Sequence, residues 1–433
     1  MTVNASAPDR PSNYRWVVFA LLALAYLLVY FHRTCPAVVA LDLMKDLRAG
    51  PALMGYLASA YFYPYALMQL PAGLLSDTWG PRRTITIFFL LAGLASLGLA
   101  WAGSVATAMT ARVLVGLGVA MLFVPTMKIL TRWFPVEQFA LMMGILMAVG
   151  GLGVLSAAEP LALLSQAVGW RGSFLAIGAA TVVLSVAIWF MVRNGPEEMG
   201  LAPAAGTAGQ ASAPAIGIRQ GMRLVLTSRG FWPLAVWFFF TPGVFFSFGG
   251  LWGGPYLMQV HGLSKPQAGE VLNMLAWGMI FGSPLLSWLS DKVLCSRKKV
   301  LILTALGLTG LMALLLLFPD SMGHYQLRLW FLFFSLFSSA IVVVGFTTAK
   351  ELFPVRIAGT ATGLVNLFPF LGGAILQPLA GLALEGKVQT APAAAYRGAF
   401  LIYLVSALAA LAASLFLKDT LPGRRQGERP ANS

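Results

Sequence analysis

Two arginines stand inside long apolar runs, where a positive charge is costly and therefore informative. Arg33 lies in the run that begins near residue 16, and Arg112 lies in the run that begins near residue 106. A central arginine costs about 2.5–3.5 kcal/mol on membrane-insertion scales, so it needs a partner, a water-filled cavity or a ligand. The planar guanidinium fork binds carboxylate and phosphate groups through paired hydrogen bonds. The two arginines predict an anion site, and the structural alternative is pairing with Glu159 or with helix-end carbonyls.

Aromatic hydroxyls accompany the first of these arginines on its own helix. Tyr26, Tyr30 and Arg33 are spaced i, i+4 and i+7, which places two phenols and the guanidinium on one helical face. We therefore predict that Tyr30 contacts substrate together with Arg33 and Arg112. The other polar candidates for this site, each weak when taken alone, are Gln69, Asn273, Asn366 and Gln377.

Two titratable residues in apolar runs are candidates for proton transfer. His32 would titrate near neutral pH if its surroundings did not perturb it. Glu159 is the one acidic residue that lies clearly inside a predicted helix core. Each has a structural alternative, because a lone histidine in a packed helix is more often a packing residue and a carboxylate can pair with an arginine. His32 and Glu159 are therefore kept as candidates for proton coupling, with these alternatives open.

The seventh apolar run contains an unusual number of helix breakers. Two prolines and five glycines lie between residues 242 and 255. Broken helices within a membrane are tolerated where they line a cavity, so Trp252 and Tyr256 are predicted to be pocket walls or gates.

The composition indicates that most of the chain lies in lipid. Of 433 residues, 58% are hydrophobic and 10% are charged, whereas a soluble domain carries about a quarter charged residues. Continuous apolar runs of about 20 residues favour helices over a closed barrel. They predict an all-α membrane protein with twelve transmembrane helices in two pseudo-symmetric six-helix halves. The predicted spans are residues 16–40, 53–76, 83–102, 106–130, 138–167, 171–192, 230–259, 267–290, 299–318, 326–349, 357–384 and 396–417.

A short charged motif occurs once in each half of the chain. Asp77 is followed by Arg82 and Arg83, and Asp291, 214 residues later, is followed by Arg297 and two lysines. An offset of half the chain length indicates an internal duplication. Duplications of this kind are frequent in secondary transporters.

A polar stretch separates the two halves. Residues 194–229 are rich in Gly, Pro, Ala and Ser, as expected for a flexible connection between halves at residues 1–193 and 230–433. The later part, IGIRQGMRLVLTSR, mixes apolar residues with arginines. It forms either an amphipathic helix on the inner membrane surface or a plain linker.

The net charge of +14 reflects membrane topology rather than a nucleic-acid partner. With the N-terminus inside, 19 of the 29 lysines and arginines fall in inner segments and 7 in outer segments. The positive-inside rule then places both termini in the cytoplasm. The first apolar run lacks a convincing cleavage site and is predicted to be a retained helix. We expect a multi-pass protein of a bacterial inner (plasma) membrane.

Segments spread along the whole chain resemble the major facilitator superfamily. Tyr-Phe-His-Arg at residues 30–33, the DLMKDL that follows, and the arginine four residues before Gly116 resemble its branch that imports organic anions with protons. The superfamily segments are SAYFYPYALMQLPAGLLSDTWGPRR at 59–83, ARVLVGLG at 111–118, WFPVEQFA at 133–140, GWRGSF at 169–174 and ELFPVRIAGTATGLVN at 351–366.

The resemblance implies a gate at the inner end of the second helix. In the superfamily, an aspartate at the position of Asp77, beside Arg82 and Arg83, pairs across the two halves when the transporter faces outward and is then released. The structural alternative is a helix-end carboxylate that only shapes the loop. Asp291 belongs to a degraded copy of the motif and is expected to matter less for switching.

The chain departs from the anion-importing branch at two positions. Members of that branch usually have an aspartate directly before the arginine of helix 1 and a glutamate seven residues after the arginine of helix 4. This chain has His32 and Val119 at these positions. Proton coupling is therefore not transferred with the resemblance.

These observations together predict a secondary active transporter that takes up a small organic anion by alternating access, with proton coupling left open. The alternatives are an importer of amino acids, nucleosides or another neutral or zwitterionic nutrient, a drug or metabolite exporter, and a transporter-like nutrient sensor. Three histidines without metal-ligand spacing, and the lack of a nucleophile motif, argue against an enzyme, a cofactor or a metal site. We expect a monomer in the lipid bilayer.

Overall fold

The structure is a computed structural model that describes residues 13–201 and 218–421. Every regular element in these ranges is helical, because apolar runs of this length satisfy their backbone groups in lipid only inside a helix. Eleven helices of the described chain are long and apolar enough to cross a membrane. A further span, residues 51–78, is divided into three short helices. The prediction of a twelve-helix membrane protein is confirmed.

Four of the six spans in the N-terminal half bend or break. Pro36, Pro125 and Pro160 each lie within the first three residues after a break, where a proline costs no hydrogen bond. The helix at Glu159–Met191 combines the end of the fifth span with the sixth and is interrupted at Gly169, whose φ of 72° favours glycine. The helices are α1 Tyr14–Thr34, α2 Pro36–Asp46, α3 Pro51–Ser59, α4 Phe62–Leu67, α5 Gln69–Thr78, α6 Pro81–Ala100, α7 Val105–Ala120, α8 Phe123–Trp133, α9 Val136–Ser156 and α10 Glu159–Met191.

The C-terminal half contains three π-helical segments within its spans. The predicted interruption of the seventh span is one of them, at Phe245–Trp252. The other two are Leu289–Val293 and Ile341–Gly345. The helices are α11 Ile218–Leu226, α12 Phe231–Val244, α13 Gly253–Gln259, α14 Lys265–Trp288, α15 Arg297–Leu317, α16 His324–Ser338, α17 Phe346–Glu351, α18 Val355–Val365, α19 Leu367–Leu384 and α20 Pro392–Leu415.

The end of the connection between the halves is helical. Helix α11 begins at Ile218 and packs against α18, with Gly221 close to the side chain of Thr360. Val225 of the same helix is fully buried in the core of the C-terminal half. Of the two alternatives for this segment, the structure therefore contains the helix. The earlier part of the predicted linker, residues 202–217, lies outside the described residues.

Both described chain ends lie at one end of the bundle, here called the terminal end, and the opposite end is called the far end. The two halves are closely joined at the far end. The backbone of Gly254 lies directly against the carbonyl of Ala37, and that of Gly381 lies against the carbonyl of Pro51, with no room for side chains. Close approach of this kind is typical of small residues in membrane helices. The bundle is therefore closed at its far end.

Two polar contacts reinforce this closure between the halves. The ammonium of Lys265 lies 2.6 Å from the carboxylate of Asp42. The carboxylate of Glu385 accepts a hydrogen bond from the backbone N–H of Ala52 at 2.7 Å, in the first turn of α3. A carboxylate at this position also interacts favourably with the positive end of the helix dipole.

Candidate functional site

Arg33 occupies a box of four aromatic rings between the halves, here called the ring box. Its guanidinium carbon lies 4.7 Å from the ring centroid of Tyr30 and 5.0 Å from that of Tyr65, both in the N-terminal half. The corresponding distances to Phe246 and Phe370, in the C-terminal half, are 5.4 and 5.1 Å. These distances lie within the range of cation–π attraction. The rings stabilise the cation without neutralising it.

A cavity of about 50 Å³ adjoins the ring box. Tyr30 and Arg33 line it from the N-terminal half, and Ser338 and Ser339 line it from the C-terminal half. A few polar groups in a mostly apolar wall are typical of small-molecule sites, and in the present state this cavity has room for only a few water molecules. The other lining residues are Pro242, Phe245, Phe246, Met279, Ile341 and Val342. The cavity is thus lined by one guanidinium, one phenol and two serine hydroxyls, and the hydroxyls already donate to the carbonyls of Phe334 and Leu336.

Arg112, the second buried arginine, has N–H groups that form no hydrogen bond in the described residues. Arg112 on α7 donates from Nη1 to the carbonyl of His32 at 3.0 Å. Its Nε and Nη2 are buried without a hydrogen-bond partner in the described residues. The guanidinium lies over the ring of Tyr61 at 4.9 Å, and the phenol of Tyr61 also lies close to Arg33. Arg112 does not line the cavity, and its partner is a helix-end carbonyl, as in the structural alternative considered from the sequence.

His32 is packed inside the N-terminal half. It is 1% exposed, and its Nε2 lies 3.4 Å from the hydroxyl of Thr181. Its Nδ1 is buried without a hydrogen-bond partner among the described residues. His32 does not line the cavity, so its predicted part in proton coupling stays a prediction.

Glu159 bonds to the opposite half of the bundle. Its carboxylate accepts a hydrogen bond from the side-chain amide of Asn273 at 2.8 Å. The amide oxygen of Asn273 in turn accepts a weaker bond, at 3.5 Å, from the backbone N–H of Glu159. Neither Arg33 nor Arg112 forms an ion pair with Glu159 in the described structure. The pairing of an arginine with Glu159 that the sequence left open is therefore not formed.

The predicted amide contacts lie beside the ring box. The side-chain amide of Asn366 donates to Gln69 Oε1 at 2.8 Å, which joins the eleventh and second spans across the halves. Gln377 donates from Nε2 to the carbonyl of Phe246 at 3.0 Å, and its Oε1 is buried without a partner in the described residues. Gln377 thus holds the backbone of a residue whose ring faces Arg33. Neither Asn366 nor Gln377 lines the cavity.

Trp252 and Tyr256 are buried within the C-terminal half. The indole N–H of Trp252 donates to the carbonyl of Gln377 at 3.0 Å. The phenol of Tyr256 donates to the carbonyl of Pro319 at 2.5 Å, and Nε2 of His261 lies 2.9 Å from the same phenol oxygen. Both rings are at most 2% exposed and lie outside the cavity lining. The structure does not bring them together with Arg33.

The predicted gate residues lie at the terminal end of the N-terminal half. The Asp77 carboxylate pairs with the ammonium of Lys128 at 2.5 Å. Arg82 donates from its backbone N–H to the side chain of Asn194 at 2.8 Å, and Arg83 is exposed. The Asp77 contact lies within the N-terminal half, and Asn194 is the first residue of the connection between the halves. The predicted bond between Asp77 and the C-terminal half is not formed in this structure, in which the far end is closed.

Three of the four rings of the ring box were not predicted from the sequence, which indicated only Tyr30. Tyr61 and Tyr65 are spaced i and i+4, which is a local signal for one shared face. Phe246 and Phe370 carry no such signal, since they are two of 29 phenylalanines in an apolar chain. Only helix packing brings them to Arg33.

Comparisons with known proteins identify relatives along the whole chain. The sequence model described as Major Facilitator Superfamily matches residues 22–253 and 248–432. A probable galactarate/D-glucarate transporter of Escherichia coli strain K12 is 24% identical over 452 residues, covering 95% of this chain and 95% of that protein. A probable sulfoacetate transporter of Cupriavidus necator is 26% identical over 184 residues, which cover 42% of this chain and 43% of that protein.

A solved structure has a similar fold. It is a bacterial homologue of the human lysosomal transporter Spinster, in an inward-facing and unoccupied conformation. The TM-score is 0.74 at 19% sequence identity, with 94% of this chain and 96% of that chain covered. Similarity at this level of identity supports the twelve-helix architecture and carries no information on substrate.

Proposed function

Because the chain belongs to the major facilitator superfamily, whose members are transporters and not enzymes, we propose that it takes up a small organic anion by alternating access across a bacterial inner membrane. The observation that carries this proposal is the placement of Arg33. Arg33 is 5% exposed, lines a cavity between the halves and forms no ion pair among the described residues. A buried cation in this setting favours an anionic ligand.

The donors beside the cavity suit a carboxylate or a sulfonate. Arg33 offers a planar fork of N–H groups, and Tyr30 adds a phenol on the same wall. Ser338 and Ser339 on the opposite wall donate to backbone carbonyls, and their oxygens can accept hydrogen bonds from hydroxyl groups on the body of the substrate. The names of the two relatives refer to sugar diacids and to a sulfonated acid. Both classes contain acid groups that a guanidinium binds well.

The contacts between the halves support a rocking mechanism. At the far end, Asp42 and Lys265 join the halves, whereas at the terminal end Asp77 pairs inside its own half. With the predicted topology, in which both termini are cytoplasmic, this arrangement corresponds to an inward-facing state. In this state the predicted gate residue Asp77 is not bonded to the C-terminal half. In the outward-facing state the far-end contacts separate and Asp77 contacts the C-terminal half.

The geometry supports anion binding more strongly than it supports proton coupling. The two candidate carriers, His32 and Glu159, both lie outside the cavity lining. Glu159 is bonded to Asn273 and not to an arginine. Nothing in the described residues connects either group to Arg33 by a hydrogen bond.

An amino-acid importer is the second candidate function. An amino acid requires a counter-charge for its ammonium group as well as for its carboxylate. No acidic residue lines the cavity in the described structure. Arg33 could therefore bind the carboxylate of an amino acid, but no side chain of the lining could neutralise its ammonium group. A nutrient sensor would bind the same ligands as a transporter and differs from it only by failing to move them.

A ligand screen on the purified protein tests the proposed function. The panel contains galactarate, glucuronate and sulfoacetate, together with neutral amino acids and nucleosides. A ligand that binds only the folded protein raises its free energy of unfolding and therefore its melting temperature. At a free ligand concentration of a hundred times Kd, the gain in unfolding free energy is about 2.7 kcal/mol. We expect stabilisation by at least one of the acids and by none of the uncharged compounds. Stabilisation by amino acids or nucleosides alone contradicts the proposal, and uptake of the stabilising compound into vesicles separates a transporter from a sensor.

A further inference from the structure

The positive charge of Arg33 is stabilised by rings that belong to both halves of the bundle. Tyr30 and Tyr65 are in the N-terminal half, and Phe246 and Phe370 are in the C-terminal half. The two phenylalanine rings stack at 5.8 Å with an interplanar angle of 9°. The ring of Phe370 also contacts that of Tyr65 across the halves, at 4.2 Å between centroids. The ring box is therefore complete only while the halves hold their present relation.

No carboxylate compensates this charge or that of Arg112. None of the ion pairs among the described residues includes either arginine. The carboxylates that lie between the halves are occupied elsewhere: Asp42 by Lys265, Glu385 by a backbone N–H, and Glu159 by Asn273.

We propose that the protein is an obligate anion exchanger, in which the empty carrier does not reorient and every crossing requires a bound anion. This inference rests on the proposed transport of an organic anion. Reorientation passes through a state in which the site is sealed from water at both ends. During that passage Phe246 and Phe370 move away from Tyr30 and Tyr65, so Arg33 loses two of its four rings. A buried cation without counter-charge or water is strongly unfavourable.

A bound anion removes this barrier. Its carboxylate or sulfonate forms charge-assisted hydrogen bonds with the guanidinium and supplies the missing negative charge. The acid group in contact with Arg33 then passes through the sealed state with it as an ion pair, so the guanidinium is no longer an uncompensated charge. On the return step the same requirement holds, because no acidic side chain in the described residues lies beside Arg33 to replace the anion. Uptake of one anion is thereby coupled to release of another.

Transport into vesicles with defined contents tests this inference. The purified protein is reconstituted, and the initial uptake of labelled galactarate or labelled sulfoacetate is measured into vesicles that are empty or preloaded with the same unlabelled acid. Potassium and valinomycin clamp the membrane potential, so that charge movement does not limit net uptake. We expect uptake into preloaded vesicles to be about tenfold faster or more, which corresponds to about 1.4 kcal/mol in the barrier.

The possible results separate this inference from the proposed function. Similar rates into empty and preloaded vesicles, or accumulation in empty vesicles driven by a pH gradient, leave anion transport intact and overturn obligate exchange. Uptake of amino acids or nucleosides without uptake of either acid overturns the proposed function, and obligate exchange with it. Fast uptake that depends on preloading supports both.

Two phenylalanines on neighbouring positions provide a matched pair of variants. Phe370 contributes to the ring box, whereas Phe368 packs on Phe231 and Trp232 within the C-terminal half. Phe370→Leu destabilises the resting empty carrier but not the sealed state, so it lowers the barrier to reorientation of the empty carrier. The ratio of the uptake rate into preloaded vesicles to the rate into empty vesicles should therefore fall by about threefold or more. Phe368→Leu should leave the ratio unchanged. An equal effect of the two variants contradicts the role of the ring box.

Discussion

Lys128 holds the Asp77 carboxylate within the N-terminal half, with the ammonium nitrogen 2.5 Å from Oδ1. At the opposite end of the bundle, Lys265 and Asp42 form an ion pair that joins the two halves. One end is therefore bridged by a charge pair while the carboxylate at the other end is kept inside its own half. An alternating-access mechanism requires the two ends to be in opposite states in this way.

Neutralising Asp77 tests its predicted role as a gate residue. Asp77→Asn removes the pair with Lys128 and any bond formed across the halves in the other state, and it does not touch the cavity. We expect substrate affinity to be nearly unchanged and turnover to fall by about fivefold, which corresponds to about 1 kcal/mol between the two states. The measurement is the transport rate in reconstituted vesicles.

Asp291 provides the control for Asp77→Asn. Its carboxylate pairs with Arg297, which also bonds to Ser290 and Glu351 within the C-terminal half. Asp291→Asn should therefore leave turnover close to that of the parent protein. Equal turnover in the Asp77 and Asp291 variants would reduce Asp77 to a residue that shapes its loop.

Removing the far-end ion pair should favour opening of the far end. The Lys265 and Asp42 side chains are 18% and 31% exposed, so their pairing is only partly screened. Lys265→Gln is expected to raise the ratio of far-end-open to far-end-closed molecules by about fivefold, for a loss of about 1 kcal/mol. Distances between spin labels placed across the far end measure this ratio, with a saturating acid substrate present so that the carrier can reorient.

Arg171→Gln is the matched control at the same end. Arg171 pairs with Asp46 at 2.5 Å, but both residues belong to the N-terminal half. Loss of this pair removes a far-end ion pair without removing a contact between the halves. Equal opening in the two variants shows that the bond between Lys265 and Asp42 is not what keeps the far end closed.

A lysine in place of Arg33 keeps the charge and loses the planar fork. Arg33→Lys should weaken binding of the acid substrate by about tenfold or more, or about 1.4 kcal/mol, because paired hydrogen bonds and stacking on the rings are both lost. The control is Arg15→Lys, since Arg15 also lies over aromatic rings, those of Trp16 and Phe134, but far from the cavity. Calorimetric titration gives the affinity, and unchanged affinity in Arg33→Lys excludes Arg33 as the anchor.

Glu159→Gln distinguishes proton transfer from packing between the halves. We expect substrate exchange to persist, because a glutamine can keep a hydrogen bond with Asn273, now formed between two amides. Asn273→Leu should instead slow exchange, since it leaves the carboxylate without its partner at an interface between helices. If the parent protein accumulates the acid under a pH gradient, obligate exchange is overturned, and loss of that accumulation with exchange intact in Glu159→Gln identifies Glu159 as a proton carrier. The two transport modes are measured side by side in the same vesicles.

The sequence by itself determined the membrane architecture and the presence of an arginine buried among apolar helices. Apolar runs of about 20 residues have one way to satisfy their backbone groups in lipid, so the twelve spans follow from composition and length. The twelve predicted spans correspond to the described helices within a few residues, except that the first extends to Asp46. The spacing of Tyr30 and Arg33 within one helix likewise placed both on the wall of the cavity. Local periodicity is sufficient for such conclusions because it is set by the helix alone.

Only the tertiary structure decided which groups surround that residue. The ring box takes Phe246 and Phe370 from spans more than 200 positions away from Arg33, and no local pattern marks either of them. Packing also directed Trp252 and Tyr256 into the interior of the C-terminal half and away from the cavity. The physical reason is that periodicity specifies the face on which a side chain lies, whereas the partner of that face depends on how twelve helices pack together. Contacts between the two halves, on which a transport cycle depends, are therefore visible only in the folded chain.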